Sequence, residues 1–122
     1  MTIYQTRLRE LERRILKFGV SVVKKCSDHS NNPSLRPIID QLIKSSTSIG
    51  ANYAEANNAS SSTDFRNKIF IAKKESGETR YWLRLLSELL PNEDFTALKQ
   101  EALELNLIFQ KIISTMKSKS AN

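Results

Sequence analysis

Hydrophobic residues recur along this 122-residue chain at intervals of three and four, which is the spacing of one face of an α-helix. The pattern runs through four segments, and no segment alternates as a β-strand does. We therefore predict an all-α protein in which residues 1–122 form a single domain. Because the connections are short, the helices should pack as an antiparallel up-down-up-down four-helix bundle. The predicted helices cover about residues 5–26, 35–57, 62–90 and 93–117.

The same spacing predicts which residues of each helix face the core. The core rows are Leu8, Leu11, Ile15, Phe18 and Val22 in helix 1, Leu42, Ser46, Ile49, Tyr53 and Ala56 in helix 2, Phe65, Ile69, Ala72, Ser76, Thr79, Leu83, Leu86 and Leu90 in helix 3, and Phe95, Leu98, Ala102, Leu105, Phe109, Ile112 and Met116 in helix 4. Ser34 and Ser61 stand where the N-caps of helices 2 and 3 are expected. Helix 2 also carries small residues outside its core row, among them Ser45, Gly50 and Ala54, which would allow another helix to approach closely.

The charge balance favours anionic partners. The chain has 19 basic and 13 acidic residues, a formal net charge of +6 and a pI near 9.6. Such an excess is typical of nucleic-acid-binding proteins but also of many small proteins without that partner. Cys26, the one cysteine, continues the core row of helix 1, and the first residues lack the apolar centre of a signal peptide. No apolar run could span a bilayer. We therefore predict a cytoplasmic protein with no membrane partner.

Three stretches place polar residues at set positions inside the apolar pattern. They are QLIKSSTSIGANYAEA from Gln41, ASSSTDF at the start of helix 3, and KKESGETRYWLRLL within it. These stretches resemble the signature of a bacterial four-helix-bundle family encoded in intervening sequences of 23S ribosomal RNA genes. The resemblance implies a homo-oligomer, with a pentamer as the expected form. No enzymatic activity is established for that family, and we predict neither an enzymatic activity nor a cofactor. It also implies a relation to the accessory variability protein of diversity-generating retroelements, which binds a reverse transcriptase and nucleic acid through a basic surface.

Seven polar residues lie beside or within the core rows of helices 2 and 3. They are Gln41, Ser45, Asn52, Glu55, Glu75, Glu78 and Thr79. We interpret them as a structural network of hydrogen bonds that sets the register of the two helices. Glutamates in a bundle can also indicate a di-metal site, but such sites require Glu-x-x-His pairs, and the only histidine, His29, lies in a predicted loop. We therefore predict no metal site and no catalytic residue.

Two groups of basic residues are candidates for nucleic-acid binding. They are Arg9, Arg13, Lys17 and Lys24 on helix 1, and Arg66, Lys73, Arg80 and Arg84 on helix 3. In an oligomer each group would recur in every subunit and give avidity for the phosphates of RNA or DNA. Tyr81 and Trp82 are expected to be used in packing, so we predict contacts to the nucleic-acid backbone without base stacking. The alternative is a solvated basic face without a partner.

A second apolar row on helix 3 is a candidate for contact with protein. Ile71, Trp82 and Leu85 lie one position from the core row and widen the apolar arc, so we assign them to an oligomer interface. Two functions are consistent with the sequence: an oligomeric adaptor associated with RNA or DNA, or a protein-protein scaffold without nucleic-acid binding. Salt dependence distinguishes them, because phosphate binding weakens steeply with salt whereas an apolar interface hardly responds.

Overall fold

The computed structural model describes residues 2–121, with side chains described for residues 2–117. This part of the chain contains four α-helices and no β-strand. The helices are α1 (Ile3–Ser27), α2 (Arg36–Asn57), α3 (Ser62–Leu89) and α4 (Thr96–Ala121). The predicted all-α four-helix bundle is confirmed. Within the described range, no helix is both long and apolar enough to cross a membrane.

Each helix packs against two others, and the contact between α1 and α4 is the least extensive of the four. α2 lies between α1 and α3, and α4 lies between α3 and α1. Two contacts between α2 and α3 show that these neighbours run in opposite directions. Ser45, near the middle of α2, contacts Thr79, whereas Glu55, near the end of α2, contacts Lys68, near the start of α3. This is the order expected for helices joined by short connections.

The core contains one apolar stripe from each helix, as the sequence pattern predicts. Two aromatic side chains meet across its diagonal: the ring centroids of Tyr53 on α2 and Phe109 on α4 lie 6.2 Å apart, and both residues are buried. Cys26 also lies in the core, where burial raises the pKa of its thiol to about 11. Its thiol therefore stays protonated at neutral pH and packs as a small apolar group.

The core stripes depart from the prediction at their ends. Leu8 of α1 and Phe65 of α3 are half-buried, because solvent reaches the end of the bundle. In α4, Ile113 is buried in place of the predicted Ile112, which is half-buried. An α-helix has 3.6 residues per turn rather than the 3.5 of a strict heptad, so a buried stripe moves to a later residue after several turns. The four-residue step from Phe109 to Ile113 follows this drift.

The starts of α2 and α3 are set differently. The hydroxyl of Ser61 accepts a hydrogen bond from the backbone N–H of Asp64, so Ser61 caps α3 as predicted. Ser34 does not cap α2: Leu35 occupies the N-cap position and provides no side-chain hydrogen bond. Pro37 lies in the first turn of α2. Backbone N–H groups in this turn have no intrahelical acceptor, so proline costs the helix no hydrogen bond there.

α4 differs from its predicted range at both ends. It begins at Thr96 rather than near residue 93, because the carboxylate of Asp94 accepts a hydrogen bond from the backbone N–H of Thr96 and holds the preceding residues in a turn. This hydrogen bond lowers the pKa of Asp94 below its usual value. The helix continues to Ala121, beyond the predicted end at residue 117, since lysine and alanine support a helical backbone.

Small residues of α2 meet both neighbouring helices. Ser45 and Ser46 are buried, and Ser45 contacts Thr79 on α3, whereas Gly50 lies toward α1. A methyl group added at Gly50 would lie 3.4 Å from Cγ2 of Ile15, an ordinary van der Waals distance, so the packing of α1 does not require glycine here, and glycine costs about 1 kcal/mol relative to alanine in a helix. Ala51 lies on the opposite, exposed face of α2.

Candidate nucleic-acid interface

The basic residues of α3 lie along its border with α4. Asn106 of α4 donates from its side-chain amide to the carbonyl oxygen of Lys73 and to the hydroxyl of Ser76, which places this side of α3 against α4. Further along the same side, Arg80 and Arg84 line a cleft of about 150 Å³ between the two helices. Arg66 and Lys73 precede Arg80 at intervals of seven residues, so helical spacing puts all four residues on the same side of α3. We refer to Arg66, Lys73, Arg80 and Arg84 as the α3 stripe.

The charges of the α3 stripe are not neutralised within the protomer. Among the described residues, the lysines and arginines that form ion pairs are Arg14, Lys25 and Lys68, and the ring of His29 contacts Glu93. One acidic residue, Glu88, follows Arg84 by a turn of helix on the same side. From α4, Lys99 adds a further cation, with its Nζ 3.3 Å from the hydroxyl of Ser87 on α3. The border between α3 and α4 is therefore strongly positive.

α4 directs its acidic residues toward α1 instead. Arg14 donates to the two carboxylate oxygens of Glu101 over 2.7 and 2.6 Å, and its Nη2 lies 3.3 Å from the carboxylate of Glu104. The hydrogen bond with Glu101 is the main reason that the pKa of Arg14 is raised above its usual value. Glu101 and Glu104 are the only acidic residues in the sequence of α4. The side of α4 that meets the α3 stripe therefore carries none.

The basic residues of α1 do not form a comparable surface. Arg13 and Lys17 line a cleft of about 430 Å³ against α4, together with Arg14 and the acidic residues Glu10 and Glu101. The other two members border different clefts. Arg9 lies near the last residues of α2, and Lys24 lies at a groove between α1 and α2. None of the eight candidates forms an ion pair with a described residue, but those on α3 share one side of the helix, whereas those on α1 are divided among three clefts, two of which contain carboxylates.

Tyr81 occupies a different environment from the one predicted. Its side chain is 56% exposed, whereas the neighbouring Trp82 is half-buried. The two rings meet edge to face with centroids 5.1 Å apart. An exposed aromatic ring therefore stands beside Arg80 and Arg84, where sequence analysis predicted no platform. The signal was available in the sequence, because Tyr81 belongs to neither apolar row of α3.

The predicted polar network is present in part. In the core, the hydroxyl of Thr79 donates to the hydroxyl of Ser45 over 2.9 Å, and Ser45 donates to the carbonyl oxygen of Leu42. On the flank of α3, the indole N–H of Trp82 donates to the carboxylate of Glu78 over 3.3 Å. Of these contacts, the one between Thr79 and Ser45 joins α2 to α3 and ties the two helices in register.

The other predicted members on α2 do not form the predicted hydrogen bonds to α3, so the network is smaller than the sequence predicted. The side-chain amide of Asn52 donates to the carbonyl oxygen of Ser48 within its own helix, and Glu55 pairs with Lys68 over 2.8 Å. Gln41 is exposed. Helical spacing indicates the side on which a residue lies, but not whether a facing side chain is near enough to bond. The distance between two facing side chains depends on how far around the helix each residue lies from the line along which the two helices touch.

Glu75 lies beside Glu78 on the same flank of α3. Partial burial raises the pKa of the Glu75 carboxyl, and the negative charge of Glu78 raises it further. This flank therefore combines two acidic residues with the half-buried ring of Trp82. Among the side chains that the structure describes, no group of three or more histidine, cysteine, aspartate or glutamate residues is placed to hold a metal ion.

Two apolar surfaces remain partly uncovered. The first is the predicted interface on α3, where Ile71 is 38% exposed and Trp82 and Leu85 are half-buried. The second lies between α1 and α2 and has a volume of about 470 Å³. We call it the α1–α2 groove, and its lining includes Leu16, Gly19, Val20, Val23, Thr47 and Gly50. Sequence analysis missed it, although Leu16, Val20 and Val23 follow the helical spacing of a second row on α1.

Comparisons with known proteins identify the family of this chain. A family model described as 23S rRNA-intervening sequence protein matches residues 10–111. A crystal structure of a protein of unknown function from the S23 ribosomal protein family of Bacteroides thetaiotaomicron is 35% identical, with a TM-score of 0.77 over 84% of this chain and 96% of that one. A search of curated proteins finds no match. Neither finding bears on the predicted relation to the retroelement accessory protein. The chain belongs to the 23S rRNA-intervening sequence protein family.

Proposed function

We propose that this protein is a non-enzymatic, self-associating adaptor that binds the phosphate backbone of RNA or DNA through the α3 stripe. The observation that carries the proposal is the row of cations on α3 that form no ion pair with another described residue and face the side of α4 without acidic residues. Nucleic-acid phosphates supply the complementary charge, and their contact with lysine and arginine releases bound counterions.

The form of the stripe fits an extended anion. From Arg66 to Arg84 it covers about 27 Å of helix at 1.5 Å per residue, a length along which a nucleic-acid strand presents several phosphates. Three of its members are arginines, whose planar guanidinium groups bind phosphate oxygens in pairs. Arg66 lies 5.5 Å from the ring centroid of Phe70, which limits the orientations of its side chain.

The test is a titration of labelled RNA stems and DNA duplexes with the purified protein, followed by fluorescence anisotropy across a salt series. We expect micromolar or tighter binding at about 50 mM salt, with a slope of roughly −3 to −4 in log K against log salt if all four cations contact duplex phosphates. Absence of binding at low salt would reject the adaptor and favour the protein-protein scaffold, for which the uncovered α1–α2 groove is the supporting observation.

Self-association forms the second part of the proposal, with the flank of α3 and the α1–α2 groove as the two contact surfaces. The flank presents Ile71 and Trp82 together with the negative charges of Glu75 and Glu78, whereas the groove is apolar and bordered by Lys24. Two surfaces that differ and carry opposite charge support a head-to-tail contact between copies. Head-to-tail contacts close into rings when the rotation allows it, and a pentamer is the ring that we propose.

Replacing Val20 by glutamate is expected to lower the mass of the oligomer in solution. Val20 is 46% exposed within the protomer, so the fold should be retained, but a negative charge in the groove would be desolvated by the docked flank of α3 and repelled by Glu75 and Glu78. Light scattering coupled to size-exclusion chromatography measures the mass. Leu107→Glu, at a 56% exposed residue of α4, is the matched control and should keep the wild-type mass. An unchanged oligomer in the Val20→Glu variant would show that the groove is not the contact surface.

A further inference from the structure

We propose that the cleft beside Tyr81 binds an unpaired nucleotide of single-stranded nucleic acid, with the base stacked on the Tyr81 ring and the adjoining phosphates held by Arg80 and Arg84. This inference rests on the proposed function and deepens it. Backbone contacts alone would bind duplexes and single strands in a similar way. An exposed aromatic ring within the stripe gives single strands an additional contact.

The Tyr81 ring is available for stacking. Its side chain is 56% exposed, and its contact with Trp82 is edge to face, with an interplanar angle of 74°. Such a contact covers at most one face of the tyrosine ring, because one ring of the pair takes part through its edge. At least one face of Tyr81 is therefore not covered by Trp82. The contact also restricts the ring and presents it in a defined direction.

The cations next to the ring are placed to hold phosphates. Arg80 directly precedes Tyr81 and Arg84 follows one turn later, and all three line the same cleft with Gly77 and Asn106. Gly77 leaves its part of the cleft open, since even an added methyl group would lie 3.7 Å from the nearest atom, Nδ2 of Asn106. The cleft volume of about 150 Å³ is comparable to cavities that hold one benzene ring. It suits a single ring or phosphate rather than a base pair.

Only an unpaired base can use this ring. In a duplex the bases stack on one another, and their faces are closed to protein side chains. In a single strand the bases can turn outward and stack on tyrosine, phenylalanine or tryptophan. The combination of an aromatic face with flanking arginines is the arrangement by which proteins bind single strands with little sequence preference.

The experiment compares two variants, Tyr81→Leu and Tyr81→Phe, with the wild-type protein. The probes are a labelled oligouridylate of about 12 nucleotides and an RNA duplex of about 12 base pairs, both titrated at low salt. We expect Tyr81→Leu to weaken oligouridylate binding by about fivefold to a hundredfold and duplex binding by less than about twofold. Tyr81→Phe keeps the ring and should bind as the wild type does. Thermal unfolding checks that both variants fold.

Tryptophan fluorescence adds a readout that a structural role of Tyr81 would not produce. Trp82 is the only tryptophan of the chain and touches the Tyr81 ring. Oligouridylate should therefore change its emission in the wild type, and the duplex should not. If Tyr81→Leu leaves oligouridylate binding unchanged, or weakens both probes equally, the stacking inference is rejected while backbone binding stands. If neither probe binds the wild-type protein, the proposed function fails and this inference fails with it.

Discussion

Replacing Arg80 and Arg84 together by glutamine is expected to weaken binding of RNA stems and DNA duplexes by about tenfold at low salt, because two phosphates lose charged partners. The slope of log K against log salt should become less negative by about 1.8 for duplexes, because two fewer phosphates are neutralised and each contributes about 0.9 to the slope. Neither arginine forms an ion pair with a described residue, so the free energy of unfolding should change by less than about 0.5 kcal/mol. Anisotropy across a salt series measures the affinity and its salt slope, and thermal unfolding measures the change in stability.

A double variant on α1 is the matched control for charge. Arg13→Gln with Lys17→Gln removes the same two positive charges from a cleft that already contains Glu10 and Glu101. We expect this control to weaken binding by less than about threefold, because the carboxylate of Glu10 already offsets part of its field, while Glu101 is paired with Arg14. Equal losses in the two double variants would mean that binding follows net charge and that the α3 stripe is not a distinct interface.

Replacing Phe109 by alanine is expected to lower the free energy of unfolding by about 3–5 kcal/mol. Phe109 is completely buried, and its ring reaches across the bundle to Tyr53. Alanine would leave a cavity between helices that are held by their other contacts and cannot close on it. For a domain whose total stability is about 5–15 kcal/mol, this loss is large. Urea unfolding followed by circular dichroism measures it, at one fixed protein concentration because self-association adds to apparent stability.

Leu107→Ala, on the same helix, is the control that separates the loss of buried contacts from any change in helix propensity. Leu107 is 56% exposed, so the same type of truncation should change stability by less than about 0.5 kcal/mol. A loss of less than about 1 kcal/mol for Phe109→Ala would contradict the placement of this ring at the centre of the core.

Much of the fold could be predicted from the spacing of apolar residues. The core row of α3 was predicted in the correct register, and its members from Ile69 to Leu86 are buried. Spacing succeeds here because every side chain on one stripe of a helix meets the same neighbours. It was less reliable at helix ends, where a single hydrogen bond such as that between Asp94 and Thr96 decides the boundary.

The candidate site was predicted only as a set of residues. Both basic groups have helical spacing, so the sequence offered no reason to prefer the group on α3 over the group on α1. The two groups differ because the acidic residues of α4 lie on the side that faces α1. Glu101 pairs there with Arg14, a residue 87 positions away in the sequence. The exposure of Tyr81 likewise depends on where α4 and Trp82 lie around it.

The sequence by itself determined that the chain forms four helices, which stripe of each is apolar, and that the protein carries an excess of positive charge. Those properties are local, because they follow from the period of the helix and the identity of each side chain. Only the tertiary structure decided that the cations of α3 lie together along the border with α4, that Arg13 and Lys17 of α1 share their cleft with carboxylates, and that Tyr81 is open to solvent. Neutralisation and exposure depend on which faces of different helices meet, and helices distant in sequence meet only in the folded bundle.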